Sequence, residues 1–192
     1  MKKLLAISGS PRRMGNTELL LEEVIRAAKE AGVEAHKLVV HELNISPCNS
    51  CGRCRETGEC VIADEMQGVY QKLLEADYIV VASPLYFMGI SAQLKALIDR
   101  CQALWARHYV LGQPLRNSNG HPKGLFLSTA AMEKGDGAFR GAISTVKALF
   151  HVLDVEYKGE LLFCGLEEKG EVKKHPEFME KAYKAARHLI EN

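Results

Sequence analysis

Apolar and polar residues follow two different spacings along the chain. Short uninterrupted apolar runs are typical of buried strands, and apolar residues three or four positions apart are typical of helices. Runs of the first kind occupy residues 3–8, 38–40, 78–82, 124–129 and 161–163. Helical spacing, together with capping signals, predicts helices over residues 17–31, 64–76, 94–105, 139–153 and 176–189. Strand and helix therefore alternate along the whole chain.

This alternation predicts an α/β fold. Five strands with intervening helices are typical of a doubly wound parallel sheet with right-handed crossovers. The run 78–82 is apolar at every position, as expected for a strand that is covered on both faces. Because no repeat or linker interrupts the pattern, residues 1–192 are predicted to form a single domain. Ligands in such folds bind at the carboxyl ends of the strands.

Composition and charge exclude several classes of partner. The 25 basic and 24 acidic residues nearly cancel, and no basic run is present, so we expect no nucleic acid partner. The most apolar region, residues 78–90, contains Ser83, Pro84 and Gly89 and is too short to span a membrane. The apolar stretch at the beginning of the sequence is too short for a signal peptide. We therefore expect a cytoplasmic protein in a reducing compartment, without a membrane partner.

The loop after the first strand has the composition of an anion-binding site. Residues 8–17 read SGSPRRMGNT and open directly into a helix, whose free amides and dipole favour a negative charge. Donors can be added by the Ser10 and Thr17 hydroxyls, the Asn16 amide and the Arg12 guanidinium. The sequence matches neither the dinucleotide fingerprint nor the triphosphate loop. A single phosphate, such as that of FMN, fits better, and a glycine-rich turn with an ordinary N-cap is the alternative.

This loop resembles the phosphate loop of the NADPH-dependent FMN reductase family, whose fold is flavodoxin-like. Residues 83–89, SPLYFMG, resemble a second family segment, followed by the similar residues 91–95 and then Asp99 and Arg100. The resemblance implies bound FMN, with this second loop wrapping the isoalloxazine ring. Candidate contacts are Pro84, Leu85, Tyr86 and Phe87. Core packing of the Tyr-Phe-Met run is the alternative.

A third loop, after the fourth strand, departs from the family pattern. Relatives often carry Thr-Gly-Gly there, which lets the backbone approach the flavin. This chain has Ser128 and Thr129 followed by Ala130 and Ala131. We expect Ser128 and Thr129 to contact the flavin, and the two alanines to restrict the approach of the backbone.

A cysteine-rich segment, residues 44–62, shows no strand or helix periodicity, and we call it the cysteine loop. Its four cysteines have the spacing C-x2-C-x2-C-x5-C and are Cys48, Cys51, Cys54 and Cys60. Four thiolates can converge on one soft metal centre, and a reducing compartment disfavours disulfides. The spacing resembles the motif of the iron–sulfur flavoproteins, which implies a 4Fe-4S cluster. Zinc and a metal-free, redox-active loop are the alternatives.

The leading hypothesis is an FMN-dependent oxidoreductase that passes electrons between a 4Fe-4S cluster and FMN. It assigns no catalytic acid or base, because the cofactors carry the chemistry. The resemblance implies a ferredoxin-like or NAD(P)H electron donor and a small-molecule acceptor. Two alternatives are an NAD(P)H-dependent FMN or quinone reductase without a cluster, and a non-catalytic redox sensor. Apolar and cysteine-rich surface at residues 44–60 and 105–109 predicts a homodimer or homotetramer.

Overall fold

The computed structural model describes residues 1–116, 120–133, 135 and 137–192. Five parallel strands form one sheet in the order β2-β1-β3-β4-β5. They are β1 (Lys3–Ser8), β2 (Glu34–Val39), β3 (Tyr78–Pro84), β4 (Lys123–Thr129) and β5 (Glu156–Phe163). This is the flavodoxin-like strand order, and the predicted doubly wound, five-stranded α/β fold is confirmed.

Helices cover both faces of this sheet. The α-helices are α1 (Asn16–Glu30), α2 (Cys54–Thr57), α3 (Met66–Glu75), α4 (Ala92–Arg100), α5 (Gln102–Trp105), α6 (Arg140–Val152) and α7 (Pro176–Glu191). The helix predicted over residues 94–105 is divided at Cys101 and continues as a π-helical turn, Ala106–Val110. The predicted cysteine loop contains one short helix, α2.

Two apolar layers sandwich the sheet. Leu20, Val24 and Ala186 pack on one face, in the layer formed by α1 and α7. The layer of α3, α4 and α6 packs on the other face. The central strand β3 sends Val80 into the first layer and Val81 into the second. This two-sided burial accounts for the continuous apolar run that marked β3 in the sequence.

The strand order brings the three predicted ligand loops to one edge. Strand β1 lies between β2 and β3, and β4 pairs with β3. Ser83 pairs with Ser128, and Pro84 with Thr129, at the ends of β3 and β4. Because all strands are parallel, the loops that follow β1, β3 and β4 leave from the same edge. Within the described ranges, no helix has the length and apolarity needed to cross a membrane.

Candidate cofactor sites

The first site begins at the N-terminus of α1, where glycines keep the loop tight. Gly15 occupies the N-cap position, and no side chain of the described residues caps the helix there. A Cβ atom on Gly15 would lie 3.0 Å from the Arg12 carbonyl oxygen, and one on Gly9 would lie 2.9 Å from Leu94 Cδ2. Glycine at position 9 therefore lets the loop pack closely against α4, and glycine at position 15 leaves room for the loop's own turn at Arg12. The first amides of α1 are left to bind an anion.

Ser10 and Arg12 shape the loop from within. The Ser10 hydroxyl accepts a hydrogen bond from the Arg12 backbone N–H at 3.2 Å and donates to the Arg12 carbonyl at 3.3 Å. The Arg12 side chain is exposed, and one of its terminal nitrogens lies 3.5 Å from the Glu167 carbonyl oxygen. The guanidinium therefore reaches across the loop opening toward the segment that follows β5.

The side chains of Asn16 and Thr17 bind protein groups. Asn16 Nδ2 donates to the Leu166 and Glu168 carbonyls at 3.2 and 2.9 Å, and its Oδ1 accepts the Val172 N–H at 3.0 Å. The Asn16 side chain thus ties the segment after β5 to α1, and only its backbone N–H remains for an anion. The Thr17 hydroxyl lies 2.6 Å from that of Thr129. Since one hydroxyl of such a pair donates to the other, the second keeps its hydrogen for a ligand.

The loop after β3 forms a tight hairpin. Tyr86 and Gly89 exchange two backbone hydrogen bonds of 2.9 Å. Phe87 and Met88 between them have φ angles of 47° and 63°, the left-handed pair typical of a type I′ turn. This conformation is unusual for bulky residues. It turns the Phe87 side chain fully into solvent.

These loops surround one cavity of about 250 Å³ at the carboxyl edge of the sheet, which is the candidate site for FMN and is called the flavin cavity below. Of the predicted contacts, the cavity is lined by Ser10, Arg12, Asn16, Thr17, Pro84, Leu85, Tyr86 and Thr129. Phe87 and Ser128 are not among the lining residues. Ser128 is buried, and its hydroxyl donates to the Ser83 carbonyl at 2.8 Å. The flavin contacts expected for Phe87 and Ser128 are therefore not supported by this cavity.

The sequence did not indicate one wall of this cavity. Leu166, Glu167 and Lys169 line it from the segment after β5. Ala130 and Ala131, which the sequence flagged only as a departure from the family pattern, also line it. The Leu166 N–H donates to the Ala130 carbonyl at 3.0 Å, so this contact links two walls. The flavodoxin-like strand order could have indicated this wall. In that order β5 lies beside β4, so the loop after β5 leaves from the same carboxyl edge of the sheet.

The four loop cysteines share a second cavity, which is called the thiol cavity below. This cavity measures about 540 Å³, and none of the four cysteines forms a disulfide. They lie on its wall together with residues that include Arg55, Asp99 and Arg100. Burial raises the pKa of the Cys54 thiol, and the neighbouring thiols of Cys60, Cys48 and Cys51 raise it further. The cysteine loop therefore places all four predicted ligands on the wall of one cavity.

The two cavities differ in how well they fit the implied groups. The flavin cavity offers uncapped helix amides, the Arg12 cation and a partly exposed Tyr86, which suit a phosphate and an aromatic ring. The thiol cavity offers the soft donor set that iron prefers. Among the described residues, no group of three or more cysteine, histidine or acidic side chains is drawn together closely enough to hold a metal ion. The four thiols are the ligand type that an iron–sulfur cluster requires, and they would have to move closer together to bind it.

Comparison with known proteins gives a consistent result. Residues 2–157 match the family described as NADPH-dependent FMN reductase. An iron–sulfur flavoprotein from Methanocaldococcus jannaschii is 42% identical over 118 residues, which is 62% of this chain and 58% of that protein. One from Archaeoglobus fulgidus is 44% identical over 106 residues, or 55% and 54% of the two chains. The matched segments thus span little more than half of these curated relatives.

A solved structure extends the likeness to the whole fold. The NAD(P)H:quinone oxidoreductase from Methanothermobacter marburgensis superposes with a TM-score of 0.71 over 97% of this chain and 94% of that one. The two sequences are 16% identical. The superposition therefore supports the fold and leaves the chemistry to the site residues.

Proposed function

The chain belongs to the NADPH-dependent FMN reductase family, and from this premise we propose that it is an FMN-dependent oxidoreductase that passes electrons between a 4Fe-4S cluster and FMN. The sequence resemblance to iron–sulfur flavoproteins is confirmed by relatives of that name. One observation carries the proposal. A single short chain places four thiols on one cavity and an uncapped helix N-terminus on another.

Residues around the flavin cavity would bind FMN and orient its ring. The backbone amides at the start of α1 and the Arg12 guanidinium would hold the FMN phosphate. Tyr86, 41% exposed at the cavity rim, can lie against the ring, while Pro84 and Leu85 exclude water from one side. When bound, FMN supplies exchange of one or two electrons and the 4Fe-4S cluster supplies exchange of one. No side-chain acid or base is assigned a role, in keeping with cofactor-borne chemistry.

Helix α4 connects the two sites. At its N-terminus, the Ser91 hydroxyl donates to the carbonyl of Gly9 in the phosphate loop at 2.6 Å. At its C-terminus, Asp99 and Arg100 line the thiol cavity. The nine residues of α4 span about 13 Å at 1.5 Å per residue. One rigid helix thus sets the separation of the cavities, as a protein that couples two redox groups requires.

We further propose the partners of this protein. A ferredoxin-like donor suits one-electron entry at the cysteine loop, because Cys48 and Cys51 are exposed. A small-molecule acceptor suits the flavin cavity, because Tyr86 at its rim is 41% exposed. The thiol-rich site favours a reducing compartment such as the cytoplasm. The exposed Tyr109 and Val110 support assembly into a homodimer or homotetramer.

One observation favours a second function, an NAD(P)H-dependent FMN or quinone reductase without a cluster. The thiols in the described part of the chain share a cavity but are not drawn together as a metal site. In this alternative the cysteine loop would carry no iron, and reduction of the flavin by NAD(P)H would be direct. A redox sensor without turnover is a further outcome that the same experiment can reveal.

The test is a cofactor analysis of protein purified without oxygen. We expect flavin bands on a broad iron–sulfur absorbance, about one FMN per chain, and iron that is depleted in Cys51→Ser. Cys164→Ala is the matched control, because Cys164 lies on neither cavity wall, and it should keep both groups. Flavin bands without iron in the wild-type protein would establish the cluster-free reductase. Both groups without turnover of a reduced donor would indicate the sensor.

A further inference from the structure

Arg100, the last residue of α4, is buried completely beneath the cysteine loop. Its side chain is 0% exposed, which is rare for arginine, and it lines the thiol cavity. Its Nε is buried without a hydrogen-bond partner among the described residues. The terminal nitrogens therefore account for the contacts that hold the side chain in place.

Those nitrogens bind both ends of the cysteine loop at once. One terminal nitrogen donates to the Ser46 carbonyl at 2.8 Å and to Asp64 Oδ2 at 2.6 Å. The other donates to the Ile62 carbonyl at 3.2 Å and to Asp64 Oδ1 at 3.1 Å. Ser46 precedes the first cysteine by two residues, and Ile62 follows the last by two. A single guanidinium thus closes the loop at its base.

Asp64 completes the closure from the other side. Its carboxylate accepts the N–H groups of Ser46 at 3.0 Å and Met66 at 3.1 Å. The Tyr70 hydroxyl, on α3, donates to the Arg100 carbonyl at 2.8 Å. The loop ends are therefore fixed to α3 and α4, two helices of the core layer, rather than to each other alone.

Resting on the proposed cluster, we propose that Arg100 is a positioning residue that holds both ends of the cysteine loop together, so that Cys48, Cys51, Cys54 and Cys60 face one cavity before iron binds. Pre-organised ligands bind a metal more tightly, since less ordering remains to be done on binding. The planar fork of arginine can bridge a carboxylate and two carbonyls, whereas lysine offers a compact charge without that geometry.

The test uses Co²⁺ binding to iron-free protein, which reports four-thiolate ligation through its absorption bands and needs no turnover. Arg100→Lys and Arg100→Met should bind Co²⁺ about 10–100-fold more weakly than wild type, with FMN affinity unchanged. Arg116→Met is the matched control. Arg116 also binds backbone carbonyls, those of Leu74 at 3.2 Å and Leu73 at 2.8 Å, but lies outside the thiol cavity wall. It should keep wild-type Co²⁺ affinity. Wild-type affinity in Arg100→Lys would overturn the inference.

A second measurement keeps the inference testable if Arg100→Met does not fold or if no metal binds. Trypsin can cut the cysteine loop after the exposed Arg53 and Arg55. In metal-free protein, these cuts should be about tenfold faster in Arg100→Lys than in wild type and Arg116→Met, because cleavage follows the open population. Equal rates would refute the role of Arg100. Absence of iron from wild-type protein purified without oxygen would refute the cluster alone.

Discussion

Replacing Asn16 by alanine removes the side chain that ties the segment after β5 to the phosphate loop. The substitution deletes three hydrogen bonds, to the Leu166 and Glu168 carbonyls and from the Val172 N–H. Val172 is 0% exposed, so water cannot replace the bond that its amide loses. At about 1 kcal/mol for each neutral bond, we expect a loss of about 3 kcal/mol in the free energy of unfolding.

This loss is measured by thermal or urea unfolding of flavin-free protein, followed by circular dichroism. A domain of this size shifts by about 2–4 °C per kcal/mol, so the expected fall in Tm is about 6–12 °C. FMN affinity should fall as well, because Leu166, Glu167 and Lys169 line the flavin cavity and lose their anchor.

The control is Asn44→Ala. Asn44 is exposed and is held through its backbone, which binds Glu65. Surface substitutions of this kind change stability by about 0.5 kcal/mol or less. If Asn16→Ala were as stable as Asn44→Ala, the side chain of Asn16 would not anchor the segment after β5. The Asn16 side chain would then be free to bind the phosphate, as the sequence predicts.

Three further predictions concern charge and assembly. Arg12→Ala should weaken FMN by about 1.5–3 kcal/mol if its bond to the phosphate is direct, measured by fluorescence titration; unchanged affinity would remove Arg12 from the site. Burial would raise the pKa of Asp64, but hydrogen bonds from Arg100, Ser46 and Met66 outweigh this and lower it. The stability contributed by Asp64 should therefore be complete above its ordinary pKa of 3.8 and be lost as the pH falls through the lower folded value. Acid unfolding of Asp64→Asn should lack that dependence, and an acid limb like that of wild type would contradict it. Light scattering at micromolar concentration should give the mass of a dimer or tetramer, and a monomeric mass would refute assembly.

Most of the fold could be predicted from the sequence because central strands of the sheet are continuous apolar runs. The strands β1 and β3 are covered on both faces, so their apolar runs marked them almost to the residue. The edge strands β2 and β5 begin several residues earlier than predicted, at Glu34 and Glu156. Most of their residues are exposed or half-buried, and because an edge strand tolerates charged residues, no continuous apolar run marks where they begin.

The walls of the candidate site could be predicted where the lining residues are neighbours in sequence. The phosphate loop and the residues from Pro84 to Tyr86 were found from local patterns and line the flavin cavity. Phe87 lies in solvent because its turn takes two left-handed residues, for which Phe-Met gives no sequence signal, and its contact with a bound flavin stays a prediction. The wall at Leu166 and the closure of the cysteine loop by Arg100 depend on contacts between residues distant in the chain. No local pattern encodes such contacts.

The central claim is that electrons pass between a cluster on the four thiols and FMN in the other cavity. Its most direct test is the rate of flavin reduction by a ferredoxin-like one-electron donor, in wild type and in Cys51→Ser that retains FMN. We expect the rate to fall sharply in the variant while direct chemical reduction of its flavin is unchanged, because the two cavities share no lining residue. Donor-driven reduction at the wild-type rate in iron-free Cys51→Ser would contradict the claim.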